Sequence, residues 1–144
     1  MYSNHRKIER IVLHYTATPE GRDVDIKDVR QWHIDRGFDD VGYHFLVKLN
    51  GDIQRGRPID VVGAHCYGYN STSIGVCFVG GMSKDMSEML DTRTPAQKKS
   101  LELLLGALLR MYPDAELCGH RDLSSTDCPG IDVKLVYAHL INDK

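Results

Sequence analysis

The sequence predicts an α/β fold, a single domain in which helices flank a mixed central β-sheet. Short apolar runs typical of buried strands alternate along the chain with longer segments whose apolar residues recur at helical spacing. One connection, Asn50-Gly51-Asp52, is a strong signal for a two-stranded hairpin. Strands interleaved with helices, together with a hairpin, are typical of a mixed sheet covered by helices.

Length and composition are those of an ordinary globular domain. The 144 residues are close to the commonest domain size, so we expect one domain over residues 1–144, and a monomer. The net charge of −2, with acidic and basic residues interspersed, provides no basic face for nucleic acid. No apolar run approaches the ~20 residues of a membrane span. The N-terminus lacks the apolar core of a secretion signal, so we expect synthesis in the cytoplasm.

The first half of the chain contains three predicted strands and one predicted helix. Residues 8–14 are predicted to form a strand that becomes buried toward its end. A helix follows, which Asp25 can cap and Gly37 can end. Residues 41–49 and 53–57 are the two predicted strands of the hairpin.

The second half alternates strands and helices again. Residues 74–79 are predicted to form a buried strand, and the polar, Met-containing segment 82–93 to form an exposed loop. Thr94-Pro95-Ala96-Gln97 is a helix start, because Thr can cap the helix, Pro suits its first position and Gln completes a capping box. Two elements complete the chain: a short strand over 115–118 and a last helix over 133–141.

The chain has four cysteines: Cys66, Cys77, Cys118 and Cys128. A chain that can build its own core does not need a disulfide framework. Cys77 and Cys118 lie in apolar runs and are predicted to be core thiols, since free cysteine is among the most buried residue types. We therefore expect the cysteines to be mostly reduced.

A histidine and a cysteine lie eight positions apart in segment 119–130, which is too rich in Ser, Gly and Pro for regular structure. A loop of this length can fold back, so His120 and Cys128 can reach one ion. Neutral imidazole and thiolate are ligands that suit zinc. Each residue also has an ordinary interpretation, as a hydrogen-bonded loop histidine and as a buried thiol. The spacing alone is therefore a weak signal.

The best candidate for a third ligand is His14, at the end of the apolar run Ile11-Val12-Leu13. Functional side chains are often presented where a strand meets a loop. Three protein ligands leave the fourth coordination position open for water, as in catalytic zinc sites. Our hypothesis is a catalytic zinc centre formed by His14, His120 and Cys128. Taken by itself, His14 has the alternative interpretation of a histidine at the edge of the core.

Two further features are candidates for parts of a site. In a strand, Tyr43 faces the opposite side from His44, so its hydroxyl can point into a site, although strand tyrosines more often pack. Loop 61–73 combines aromatic side chains, a histidine and several hydroxyls, a composition that suits a wall for sugars and peptides and also an ordinary surface loop. The candidate substrate-binding residues of this loop are His65, Tyr69 and Asn70.

A set of short motifs, in order along the chain, resembles one family. The motifs are Ile11-Val12-Leu13-His14-Tyr15-Thr16-Ala17-Thr18, Arg30-Gln31-Trp32-His33, Val41-Gly42-Tyr43-His44-Phe45, Gly63-Ala64-His65, Gly68-Tyr69-Asn70-Ser71, Ser73-Ile74-Gly75-Val76-Cys77, Thr94-Pro95-Ala96-Gln97, Gly119-His120-Arg121-Asp122 and Cys128-Pro129-Gly130. They span roughly residues 8–140 and resemble the zinc-dependent N-acetylmuramoyl-L-alanine amidases of the second amidase class. This family includes the small amidase lysozymes of tailed phages, the branch that the chain resembles most, and animal peptidoglycan recognition proteins share its fold.

The resemblance implies an enzyme that uses Zn²⁺ to hydrolyse the amide bond between N-acetylmuramoyl and L-alanine in peptidoglycan. It implies that His14, His120 and Cys128 hold the zinc and that Tyr43 assists catalysis. The phage lysozymes carry a lysine two positions before the ligand cysteine, where this chain has Thr126. Catalytic recognition proteins also have threonine there, so the Thr126 hydroxyl is a second candidate catalytic group.

Two other functions are alternatives to the enzyme. One is a non-catalytic module that binds peptidoglycan, but such relatives typically lack the cysteine ligand, and Cys128 is present. The other is a regulatory protein that holds another protein, for which the sequence offers no specific support. For the enzyme, without a recognisable signal, we expect action on the cell wall after release through lysis, a pore or a partner.

Overall fold

A mixed β-sheet runs through the computed structural model, which describes residues 6–142. The strands in this part of the chain are β1 (Arg10–Tyr15), β2 (Thr18–Pro19), β3 (Phe45–Val47), β4 (Ile53–Arg55), β5 (Ser73–Phe78), β6 (Gly81–Met82) and β7 (Glu116–Gly119). Its helices are α1 (Ile26–Asp35), α2 (Pro95–Met111), α3 (Val133–Val136) and α4 (Ala138–Asn142). Within the described residues, no helix has the length and apolar character needed to cross a membrane.

The central sheet of the described chain has the strand order β4-β3-β5-β1-β7. β1 lies parallel to β5 and to β7, β3 lies parallel to β5, and β4 is antiparallel to β3. The predicted hairpin is therefore present, and at its turn Gly51 has a φ of 91°, a left-handed conformation that favours glycine. Because the strands beside β1 are parallel to it, their carboxyl ends meet at one edge of the sheet.

Helices cover both faces of this sheet, as predicted. On one face, Ile11 and Leu13 of β1 pack in a large apolar cluster that includes Leu101 and Leu105 of α2. On the other face, Val29 of α1 belongs to a smaller cluster. The middle of β1 has no exposed surface on either face, which explains its continuous apolar run. Alternation along the strand then places the next residue, His14, on the α1 side.

The two longer helices begin where the sequence predicts. Asp25 accepts a hydrogen bond from the Asp28 N–H at 3.0 Å, and the Asp28 carboxylate accepts one from the Asp25 N–H at 3.1 Å. Thr94 and Gln97 form the same reciprocal pair at the start of α2, at 3.0 and 2.9 Å. Each pair satisfies two N–H groups that would otherwise lack partners at a helix start.

The expectation of an exposed loop over residues 82–93 is confirmed for residues 84–91 and is wrong at the two ends of the segment. Gly81–Met82 forms β6, which pairs with β2, and Met82 forms a bridge with Met89. The Gly81 N–H donates to the Thr92 hydroxyl at 2.7 Å, and both Thr92 and Arg93 are buried. The segment therefore folds back on itself, and its two ends are held by β6 and by the buried Thr92.

The single last helix predicted over 133–141 is divided into α3 and α4. Tyr137 interrupts it with φ of −110° and ψ of 24°. The Tyr137 ring is buried, and its hydroxyl accepts a hydrogen bond from Arg93 Nη1 at 2.7 Å. This contact joins residues 44 positions apart. The helix is therefore interrupted at a residue with a tertiary contact, which the local sequence does not show.

Candidate metal centre

Three side chains converge at the carboxyl edge of the sheet. His14 lies near the end of β1, where the parallel register pairs Leu13 with Gly119 of β7. His120 follows Gly119 directly, and the loop after it brings Cys128 back to the same place. One potential ligand atom from each of His14, His120 and Cys128 lies within 4.8 Å of the other two. The structure therefore brings together the three predicted donors.

Hydrogen bonds hold the loop that carries Cys128. The Arg121 N–H donates to the Cys128 carbonyl oxygen at 2.7 Å, and the Asp122 carboxylate accepts from the Gly119 N–H at 2.8 Å. The Tyr15 N–H donates to Cys128 Sγ at 3.4 Å. These contacts fix the thiol against the end of β1.

The two ring nitrogens of His14 have different neighbours. Nδ1 lies 3.7 Å from Cys128 Sγ, and Nε2 lies 2.9 Å from Nδ1 of His65. The ring centroid of His120 is 4.6 Å away. Nδ1 of His14 is thus the nitrogen beside the cysteine donor, while Nε2 is engaged by a residue outside the donor set.

Burial determines the protonation of these groups. It lowers the pKa of His14 well below the usual value, with smaller contributions from His65, His120 and His33, and it also lowers the pKa of His120. Burial raises the pKa of the Cys128 thiol to about 12, although the hydrogen bond from the Tyr15 N–H acts in the opposite direction. Both imidazoles are therefore neutral at physiological pH, and a metal ion that binds here must displace the thiol proton.

The donor set fits zinc. Tetrahedral zinc, with Zn–N of about 2.0–2.1 Å and Zn–S of about 2.3 Å, separates nitrogen and sulfur donors by about 3.6 Å. The 3.7 Å between His14 Nδ1 and Cys128 Sγ matches this spacing. Two imidazoles and one thiolate suit zinc, and three protein ligands leave one coordination position for water.

The donors lie in an open cleft of about 550 Å³. Its walls come from the end of β1, the end of α1, the segment before β3, loop 64–70 and the His120–Cys128 loop. A second depression, of about 600 Å³, lies beside Arg6, Arg55 and Tyr112 and contains none of the three donors. A reaction at a metal bound by these donors would therefore take place in the first cleft.

Tyr43 lines this cleft beside the donors. The predicted strand 41–49 is shorter than expected, because β3 begins at Phe45 and leaves Tyr43 just before it. The Tyr43 ring centroid lies 4.9 Å from that of His14. Burial raises the pKa of Tyr43 well above its usual value, and the neighbouring thiols of Cys77 and Cys128 raise it further. Its hydroxyl therefore keeps its proton at neutral pH and can donate a hydrogen bond.

Thr126 also lines the cleft, on the loop that carries Cys128. Its side chain is exposed, and its Oγ1 accepts a hydrogen bond from the Cys128 N–H at 3.3 Å. The hydroxyl thus contacts the backbone of a predicted donor while it faces the open side of the cleft.

The three candidate substrate-binding residues lie in different environments. His65 lines the cleft, but it is largely buried, and its Nδ1 lies 2.9 Å from Nε2 of His14. Asn70 lines the cleft, but its Oδ1 accepts hydrogen bonds from the N–H groups of His65 and Cys66 at 2.8 and 2.9 Å. Tyr69 stacks against Arg10, whose guanidinium carbon lies 5.0 Å from the ring centroid, and it does not line the cleft. The substrate roles of these residues remain predictions.

Other residues line the cleft that the sequence analysis did not select. Tyr67 is 95% exposed at its rim and lies in the aromatic loop already identified as a candidate wall. Arg36 and Phe38 come from the end of α1, and the Arg36 guanidinium carbon lies 5.4 Å from the Phe38 ring centroid. The end of a helix has no sequence signal comparable to that of the aromatic loop. Of these three residues, only Tyr67 could therefore have been selected from the sequence.

A family model described as N-acetylmuramoyl-L-alanine amidase matches residues 4–131 of the chain. Among curated proteins, the chain is similar to the endolysin of Escherichia phage T7, with 40% identity over 133 residues, which cover 92% of this chain and 87% of the phage protein. It is 43% identical over 126 residues to the endolysin of Enterobacteria phage T3, covering 88% of this chain and 83% of that protein.

Solved structures show the same similarity in three dimensions. The N-acetylmuramoyl-L-alanine amidase LysC from Clostridium intestinale URNW aligns with a TM-score of 0.80 and 30% identity, covering 95% of this chain and 87% of the other. The ectodomain complex of peptidoglycan recognition proteins LCa and LCx contains a chain that aligns with a TM-score of 0.75 and 33% identity, covering 92% and 82%.

Proposed function

The chain belongs to the N-acetylmuramoyl-L-alanine amidase family, and from this membership we propose that its reaction depends on a zinc ion held by His14, His120 and Cys128. The protein is a peptidoglycan amidase that hydrolyses the bond between N-acetylmuramoyl and L-alanine. The observation that supports the zinc proposal is the convergence of three donors, within 4.8 Å of one another, in an open cleft.

A zinc ion with one open coordination position lowers the pKa of water to about 7 and polarises a carbonyl group. The chain's own residues prepare for this role. His14 and His120 are neutral, so each offers a lone pair, and the hydrogen bonds on the Cys128 loop hold its sulfur beside His14. The donors line an open cleft of about 550 Å³, which is the proposed place for the muramoyl and peptide portions of the substrate.

Tyr43 and Thr126 are the proposed catalytic side chains. When water attacks the amide carbon, negative charge develops on the carbonyl oxygen, and a hydrogen-bond donor placed near that oxygen lowers the barrier. The Tyr43 hydroxyl remains protonated and its ring lies beside that of His14 in the cleft wall, so it is the proposed donor of this bond. The exposed Thr126 hydroxyl faces the same cleft and is the proposed second donor.

Removal of the metal tests the zinc proposal. Purified peptidoglycan is digested with the untreated protein, with chelator-treated protein, and with treated protein to which zinc is returned. Stem peptides that begin with L-alanine are then quantified. We expect the chelator to stop their release and zinc to restore it, because the reaction needs the open metal position. Full release by metal-free protein would contradict the proposal.

The Cys128→Ser variant provides the matching test of the donor set. We expect it to bind less than one zinc ion per chain and to lose most of its activity, because a serine hydroxyl is a poor zinc ligand compared with a thiolate. Cys66→Ser is the matched control, since Cys66 is also a buried thiol beside the cleft but is not one of the three donors. Equal zinc content in both variants would exclude Cys128 as a ligand.

We propose that one chain is the functional unit and that it acts on the cell wall after release. Support for a single chain comes from the donors and the cleft, which are all contributed by the same chain. Light scattering of the active, zinc-loaded protein should give the mass of a monomer. Added outside intact cells whose wall is accessible, the purified protein should lower the turbidity of the suspension.

A further inference from the structure

We propose that His65 is a positioning residue for the metal centre, with Ser73 as its own partner. This inference depends on the proposed zinc function, since the role assigned to His65 is to orient the His14 ring toward the metal. The sequence predicted that His65 contacts the substrate, whereas the role proposed here is to contact a metal ligand.

The hydrogen bonds give each ring nitrogen in this group one role. His14 Nδ1 lies beside the Cys128 sulfur, so it must be unprotonated in order to bind a metal. The proton of His14 is then on Nε2, which donates to Nδ1 of His65 at 2.9 Å. His65 must in turn carry its proton on Nε2, which lies 3.1 Å from the Ser73 hydroxyl oxygen. With His14 Nδ1 left unprotonated for a metal, this assignment of tautomers is the one that satisfies both contacts.

The surrounding backbone is shaped to accept the His65 ring. A Cβ atom at Gly75 of β5 would lie 2.6 Å from Cγ of His65, and one at Gly63 would lie 2.9 Å from its Cδ2. Both distances are shorter than real Cβ contacts allow. The ring therefore occupies space that any larger residue at Gly63 or Gly75 would fill, so its place is built into the central sheet.

His65 lines the inner wall of the cleft, but most of its side chain is buried against its neighbours. His65 is 9% exposed, and Ser73 is fully buried in β5. The His65 N–H donates a hydrogen bond to Asn70 Oδ1 at 2.8 Å, which fixes the backbone of His65. A buried ring that is held at its backbone, at Nδ1 and at Nε2 is suited to hold a neighbour in one orientation.

The expected effect is on zinc affinity. Partners of metal-binding histidines fix the tautomer and ring orientation, and their removal typically weakens metal binding by about 10–100-fold. We therefore expect His65→Leu, which removes the acceptor for His14 Nε2–H, to weaken zinc binding by about 10–100-fold. Ser73→Ala should weaken it less, and His65→Gln, whose carbonyl oxygen can accept the same hydrogen bond, should recover part of the affinity.

The test is a competition for zinc between each full-length variant and a chromophoric chelator. Circular dichroism of the metal-free proteins shows which variants fold. If His65→Leu does not fold, Ser73→Ala decides, because the Ser73 hydroxyl is the hydrogen-bond partner of His65 and Ser73 is not one of the three donors. Wild-type zinc affinity in the folded variants, with a raised KM for peptidoglycan, would overturn the proposal and favour a substrate contact. Failure of the wild type to bind zinc would instead overturn the proposed function.

A second measurement reads the tautomer directly. Long-range ¹⁵N–¹H NMR spectra of the metal-free wild type identify which nitrogen of each histidine carries the proton. We expect the proton of both His14 and His65 on Nε2, and we expect His14 to show a mixture of tautomers in His65→Leu. A proton on Nδ1 of His14 in the wild type, or an unchanged spectrum of His14 in the variant, would contradict the assigned role.

Discussion

Two hydroxyl groups beside the metal donors have proposed catalytic roles that single substitutions can test. The Tyr43 ring lies 4.9 Å from His14 and 5.2 Å from His33, so aromatic neighbours hold it at the cleft wall. Its raised pKa keeps the hydroxyl a donor over the whole neutral range. Thr126 is exposed, and its hydroxyl accepts a hydrogen bond from the Cys128 N–H. Tyr43 is thus the more rigid of the two groups.

Tyr43→Phe removes the hydroxyl and keeps the ring. We expect kcat on purified peptidoglycan to fall by about 10²–10³-fold, equivalent to about 3–4 kcal/mol, because one donor to the developing oxyanion is lost. Zinc content should not change, since Tyr43 is not one of the three donors. Full turnover by this variant would show that the hydroxyl has no catalytic role, and the metal proposal would be unaffected.

Thr126 can be tested with two substitutions of similar size. Thr126→Val removes the hydroxyl, so we expect kcat to fall by about tenfold, a modest loss for a donor on an exposed side chain. Thr126→Ser keeps the hydroxyl and should retain most of the activity. The measurement is the initial rate of stem-peptide release at saturating peptidoglycan. Equal rates for both variants would remove Thr126 from the catalytic group.

Sequence reasoning reached the three donors because each combines a ligand chemistry with a local signal. His14 ends an apolar run, and His120 and Cys128 bound a loop without regular structure. The orientation of His65 could not be predicted from the sequence. That orientation depends on a hydrogen bond between residues 51 positions apart and on space beside Gly75, and composition alone suggested a substrate wall.

Among the secondary-structure elements, α2 is joined to the sheet by its first turn. Gln97 is fully buried, and its Nε2 donates to the carbonyl oxygens of Val47 and Val79 at 3.3 and 2.9 Å. Its Oε1 accepts from the Thr94 N–H, and the Thr94 hydroxyl donates to the Leu49 carbonyl oxygen at 2.6 Å. One side chain therefore caps a helix and links it to two neighbouring strands.

Gln97→Leu removes these contacts at nearly constant volume. We expect the free energy of unfolding to fall by about 2–3 kcal/mol, because buried backbone groups lose a partner and the helix loses its reciprocal cap. Urea unfolding in the presence of a chelator measures the change without a contribution from metal. Lys98→Ala, at the exposed neighbouring position, is the control and should change the free energy by less than about 0.5 kcal/mol. Equal effects of both changes would contradict this account.

The sequence predicted elements best where their signals were local. Caps fixed the starts of α1 and α2, and Asn50-Gly51-Asp52 fixed the hairpin. It failed for β6, whose two residues pair with the equally short β2 and have no periodicity to detect. It also failed at Tyr137, where a buried hydrogen bond with Arg93 accompanies the end of α3.

Across the whole molecule, buried histidines accept hydrogen bonds from the backbone of distant segments. His33 Nδ1 accepts a hydrogen bond from the Gly42 N–H at 2.8 Å, and His44 Nδ1 accepts one from the Gly75 N–H at 3.0 Å. Burial lowers the pKa of His33 to about 4 and that of His44 to about 4. Both rings therefore remain neutral in the folded protein under conditions in which free histidine, with a pKa of 6.5, is charged.

These two histidines predict how stability depends on pH. Between pH 6.5 and about 4 the unfolded chain binds more protons at these sites than the folded protein, so the free energy of unfolding should fall as pH decreases. The loss should be absent above pH 6.5, and below about 4 this contribution should stop growing. Urea unfolding at about pH 7 and about pH 5, with a chelator present, measures the difference.

His33→Asn is the matched variant for this prediction. Asparagine can accept the hydrogen bond from Gly42 but does not titrate, so the loss of stability between about pH 7 and about pH 5 should be smaller than in the wild type. A pH dependence as steep as that of the wild type would show that His33 is not one of the groups responsible.

At this largest scale, the predicted class of fold, a mixed sheet between helices, is confirmed. Alternating strand-like and helix-like segments allowed that prediction because each needs a partner layer for its apolar face. The order β4-β3-β5-β1-β7 could not be predicted, because no local signal states which strands become neighbours. That order is what places β7, and with it His120, beside His14.

The distance along the chain between His14 and Cys128 has a consequence for the resistance of the folded protein to proteolysis. These donors are 114 positions apart, so a cation bound to both would act as a noncovalent crosslink between the first strand and the last loop. Since a ligand that binds only the native state stabilises it by mass action, a loaded molecule should resist proteolytic digestion longer than an empty one. The ion proposed to enable hydrolysis would then also extend the time over which the protein survives in the presence of proteases.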